Sequence, residues 1–82
     1  MELAIFASAS GGVVLVPTPF RPPDDAITLH GPLVPRGFLR VIDAEAAPWP
    51  ELVLQLERHL FAALGAAEAG VLLGSSAART TL

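Results

Sequence analysis

The stretch from Ala47 to Gly65, APWPELVLQLERHLFAALG, is the segment whose periodicity is sustained long enough to decide the fold. Advancing about 100° per residue, Leu52, Val53, Leu56, Leu60, Ala63 and Leu64 gather on one arc of about 120°. Glu51, Gln55, Arg58 and His59 form a polar strip beside it. Pro50 is tolerated in a first helical turn, Glu51 favours the positive dipole end, and Gly65 suits the left-handed residue that follows a helix. The pattern predicts one amphipathic helix lying over a sheet. Leu54 and Phe61 fall about 180° to 200° from Leu52, outside the main stripe. Two large apolar residues there predict a second contact, a partner surface built from Leu54 and Phe61 with Phe20 and Trp49 as aromatic contributors.

Upstream of this helix the chain reads as strands. Glu2 to Ala7 and Val13 to Val16 flank Ser-Ala-Ser-Gly-Gly, a hairpin signal, and the unbroken apolar run Val13–Val16 fits a strand covered on both faces. Four prolines between Pro17 and Pro23 remove ladder donors and enforce a surface loop that carries Phe20. In Ala26 to His30, Ile27 and Leu29 alternate with Thr28 and His30, which predicts a half-exposed strand; Phe38 to Asp43 predicts another. Downstream, Gly70 to Gly74 reads as a short last strand, while Ala66 to Leu73 carries comparable signals for a second short helix. The expected architecture is α+β: a two-layer domain over residues 1–74, order ββββαβ, with a mostly antiparallel sheet of four to five strands under one helix. Residues 75–82 are expected to be a flexible tail.

An 82-residue chain without cysteine has no disulfide or thiolate staple, and its two histidines lack metal-ligand spacing. A domain of this size buries only about 60% of its unfolded surface. With 52% hydrophobic and 16% charged residues, against roughly 25% charged in a typical soluble domain, the composition calls for a protein partner or homo-oligomer. The net charge of −3, with five arginines and no lysine, excludes a basic footprint for nucleic acid or an anionic membrane. The usage of Ala, Arg, Gly and Pro suggests a high-GC bacterial or phage genome. Glu2 and the brief apolar run after it read as a strand and not an export signal, and no apolar run approaches a membrane span, so cytoplasm is the expected location.

Chemistry-bearing constellations are weak. No nucleophile-elbow or Gly-rich phosphate motif frames the serines, histidines or acids, so no catalytic residue, cofactor or metal site is assigned and an enzyme is not expected. His30, Arg36 and Arg40 are the only local concentration of positive charge, an alternative site for a carboxylate or phosphate. Together these features predict a small non-catalytic interaction module of the accessory, adaptor or phage-factor kind, self-associating or partner-bound. The competing expectation is a small-ligand or anion-binding domain, as it stands or as a subunit of a larger enzyme.

Overall fold

The structure, a computed structural model, describes residues 2–9, 11–18, 20–46, 49–73 and 78–81. Elements follow the order ββαβαβαβ: β1 (Glu2–Ala7), β2 (Val13–Pro17), α1 (Asp24–His30), β3 (Val34–Val41), α2 (Trp49–His59), β4 (Ala62–Leu64), α3 (Ala66–Leu73) and β5 (Ala78–Thr81). The strands form one sheet in the order β4-β2-β1-β3-β5, and every neighbouring pair is antiparallel. The α+β class and the antiparallel sheet are as expected, but the element order and the cover by a single helix are not.

The hairpin of β1 and β2 closes through Gly11 N–H to Ser8 O (3.1 Å) and Ser8 N–H to Gly12 O (3.0 Å), with Gly11 at φ 89°. A glycine supplies that left-handed residue at no steric cost. Leu15 then faces one side of the sheet, and Val14 and Val16 face the other; all three are buried. β2 is thus the doubly covered strand that its apolar run implied.

Residues 26–30 are helical, which corrects the expected strand. The flanks carry the reason. Pro23 stands at the N-cap in an extended conformation, Asp24 and Asp25 occupy the first turn, and Gly31 at φ 76° closes the helix by donating to Ile27 O at 2.8 Å. Acids at the positive end and a left-handed glycine at the other end outweigh a two-residue alternation. Within α1 only Ala26 is buried.

The long helix is also corrected: α2 ends at His59, and residues 62–64 pair with β2 as β4. Leu60 adopts φ 64° and its N–H bonds Leu56 O at 3.0 Å, the single closing bond of a left-handed helix cap. A left-handed leucine costs about 1–2 kcal/mol. Against this, burying Phe61 is worth about 1.5–3 kcal/mol, and β4 gains a ladder on β2 that a continued helix could not make. Gly65, expected to terminate the helix, instead precedes α3 and accepts Ala69 N–H at 2.9 Å. Residues 66–73 form the short helix that stood as the alternative to a strand over residues 70–74, and 78–81, expected as tail, pair with Phe38–Val41 of β3.

The result has three layers. Leu3, Ile5, Leu15, Leu39, Val41, Ala62 and Leu64 of the sheet pack with Trp49, Leu52 and Leu56 of α2 and with Ala69 and Leu72 of α3. On the opposite face, Val14, Val16 and Phe61 pack with Ala26 of α1, joined by Phe6, Leu33 and Ala63.

Three substitutions check these backbone assignments by chemical denaturation. Leu60→Gly is expected to raise stability by about 0.5–1 kcal/mol, because it relieves the left-handed leucine; a loss would mean that α2 continues through Leu60. Gly70→Ala, in an exposed helical position with open space around the added methyl, is expected to add about 0.5–1 kcal/mol. Gly12→Ala must drive its methyl into the Leu64 carbonyl oxygen of the neighbouring strand and is expected to cost about 1–3 kcal/mol.

Candidate interaction surface

The four residues expected to form a partner surface are not brought together. Leu54 stays on the outer side of α2, 51% exposed, and Phe20 is exposed in the proline loop. Phe61 has left the helix and is only 7% exposed in the layer beneath α1. Trp49, at the start of α2, is fully buried against the opposite face, where its indole Nε1 has no hydrogen-bond partner among the described residues. The shared Leu54/Phe61 flank therefore does not exist: the cap at Leu60 separates its two members onto opposite sides of the sheet. Trp49 and Phe61 are core residues.

The two histidines converge on Phe61. The His30 ring stands edge-on to it at 5.9 Å between centroids and the His59 ring is tilted against it at 6.1 Å. Both contacts arise where α1 and α2 end, and His30 is thereby engaged with the apolar layer. Arg36 is the extra residue at a register shift in β3, where Ile5 pairs with Gly37 and Phe6 with Pro35. Arg40 lies further along β3 opposite Glu2. Its parity places it on the α1 face of the sheet, away from the acids of α2. His30, Arg36 and Arg40 thus occupy a helix end, a bulge and the far half of a strand.

A different surface stands out on that α1 face. Helix α1 covers β2 and β4 and reaches Phe6, but its cover does not extend across β1 and β3. Ala4 and Phe38 are register partners there, as are Glu2 and Arg40. Ala4 is half-buried; Glu2, Phe38 and Arg40 are exposed, with Phe38 at 55%. Beyond β3, Ile42 is exposed as well. An exposed phenylalanine on the face of a sheet is the side chain that sequence reasoning undervalued. Its signal was the parity of Phe38, Arg40 and Ile42, which puts Phe38 on the outward face of β3 and Ile42 just past its end.

No acid, arginine or histidine between residues 2 and 72 is buried among those described, and among the described residues no three His, Asp or Glu side chains gather as a metal site. No helix among them is long and apolar enough to cross a membrane. No protein-family model, curated protein or solved structure matches the chain.

The different placements of Leu54 and Phe61 predict opposite behaviour for the same substitution. Leu54→Glu is expected to change stability by less than about 0.5 kcal/mol, as at an ordinary surface position. Phe61→Glu forces a carboxylate into an apolar layer and is expected to abolish the cooperative thermal transition seen by circular dichroism. Equal, small effects at both positions would restore the single-helix arrangement.

Proposed function

We propose that the protein is a small, non-catalytic interaction module of the accessory or adaptor type, acting in the cytoplasm by binding another protein chain. The observation that carries this reading is Phe38, exposed beside Ala4 on the part of the β1–β3 face that α1 does not cover and flanked there by Glu2 and Arg40. A folded chain leaves a large aromatic in such a place at a solubility cost, and exposed apolar patches rimmed by polar groups mark binding sites. Leu54 and Phe20, both exposed, are additional apolar contacts available to a partner.

Binding of a small carboxylate or phosphate by His30, Arg36 and Arg40 is the weaker reading. Anion recognition needs donors that converge on one point, and these three stand on separate parts of α1 and β3.

The interaction reading predicts that the purified chain runs above 8.5 kDa in light scattering or co-purifies with a partner. Phe38→Ser is expected to reduce that association at least about tenfold, the loss of one well-placed aromatic anchor, with the circular dichroism spectrum unchanged. A monodisperse 8.5 kDa species that captures nothing in a pull-down would overturn it.

A further inference from the structure

We infer that the open part of the α1 face takes an acidic segment of another protein, with an apolar side chain on Phe38 and a carboxylate on the arginines beside it; this rests on the interaction reading above and names its partner. The edge strand β5 continues the face. Its register sets Thr81 opposite Phe38 and Arg79 opposite Arg40, while β1, on the other side of β3, sets Ala4 opposite Phe38 and Glu2 opposite Arg40. Across these three strands the face therefore carries an uncharged row of Ala4, Phe38 and Thr81 and a charged row of Glu2, Arg40 and Arg79.

The charged row is not neutral. It sets two arginines against one glutamate, on a chain whose net charge is −3. Directly opposed positions of neighbouring antiparallel strands stand about 4.5–5.5 Å apart between Cβ atoms, and like charges there destabilise the pair. Arg40 and Arg79 occupy such positions. Among the described residues the side chains of Glu2 and Arg40 form no ion pair or hydrogen bond, and Asp24 and Asp25 of α1 form none with Arg40.

A carboxylate from outside the chain meets this demand. It accepts two parallel bonds from a planar guanidinium and offsets the opposition within the pair. Phe38 precedes Arg40 by two positions on the same face, about 7 Å along the strand, so the ligand presents an apolar side chain at that distance from its carboxylate. Residues i and i+2 of an extended segment have this spacing and share a side. Charge also decides against other occupants. A second copy laid face to face brings a second surplus of arginine to the same place, and a nucleic acid requires a longer basic footprint than two arginines on a negative chain.

Three strands spaced by about 4.8 Å give a footprint of a few hundred Å², below the roughly 800 Å² per partner of stable complexes. The complex is accordingly weak and salt-sensitive, dissociating at roughly tens to hundreds of micromolar.

The probe is a short fluorescent peptide of alternating leucine and aspartate, followed by anisotropy as the full chain is added up to about 1 mM. It is expected to bind in that range, and peptides with lysine in place of aspartate or serine in place of leucine are expected to bind at least about tenfold more weakly. Phe38→Ser, Arg40→Glu and Arg79→Glu are each expected to weaken binding about tenfold. Arg36→Glu changes the net charge equally but from the bulge of β3, and is expected to leave binding within about twofold. Glu2→Gln removes the competing carboxylate of the row and is expected to strengthen binding about twofold to threefold. Arg79→Glu also places an acid opposite Arg40 and is expected to raise the melting temperature by a few degrees, which separates its loss of binding from a loss of fold.

A peptide that does not bind, that binds whichever charge it carries, or that treats Arg36→Glu and Arg40→Glu alike overturns the proposal. So does tighter binding of inorganic phosphate or of a single-stranded oligonucleotide, or self-association through Phe38 that excludes the peptide. Pull-downs then separate the two levels. Capture of another protein that depends on Phe38 but not on Arg40 overturns only the acidic class of partner, whereas a monomer that captures nothing overturns the interaction reading too.

Discussion

The two-sided burial of β2 governs this structure. Leu15 must be covered on one face of the sheet and Val14 and Val16 on the other, so a single helical layer cannot satisfy the strand. The chain answers by sending α2 and α3 to the first face and α1 to the second. With only 82 residues it has one seven-residue helix left for that second face. A helix of that length rises only about 10 Å, while five strands at about 4.8 Å spacing make a sheet roughly twice as wide. Part of the second face must remain open, and the open part lies over β1 and β3.

That same demand explains how α2 ends. If the helix ran on to Leu64, Phe61 would lie on its outer side beside Leu54, and the second face would lack its largest core residue. Terminating at His59 and turning at Leu60 sends Phe61 across to Val14 and Val16 while Leu64 returns to the Leu15 side. The strained backbone of one exposed leucine is exchanged for a buried phenylalanine and a paired edge strand. Gln55 helps hold the new course, its Oε1 accepting Ala63 N–H at 3.4 Å.

The parts of the fold legible in the sequence were those where local and long-range preferences agree: the glycine-bearing hairpin, the apolar run of β2, and the amphipathic first three turns of α2. The end of α2 was not legible, because Leu60 has no propensity for the left-handed region and Phe-Ala-Ala-Leu continues the helical stripe without a break. Only the open edge of β2, a tertiary fact, overrides it. Helix α1 was legible and underweighted, since Pro-Asp-Asp at one end and Gly31 at the other are start and stop signals. β5 gave little local sign, because Ala-Arg-Thr-Thr has no apolar face and takes its conformation from the ladder that β3 offers.

The displacement of the candidate site from a helix flank to a sheet face follows from the same physics. An excess of apolar residues over what a small core can hold is visible in composition. Composition does not say which residues form the surplus. Phe61 and Phe38 are equally apolar, and each stands next to a residue that turns its chain: Leu60 in one case, Gly37 at the bulged register of β3 in the other. What separates them is the reach of α1. Its single buried residue, Ala26, lies over Val14, Val16 and Phe61 and stops short of Phe38. A surface of this kind is defined by where a covering element runs out, which is a property of the assembled layers and not of any one segment.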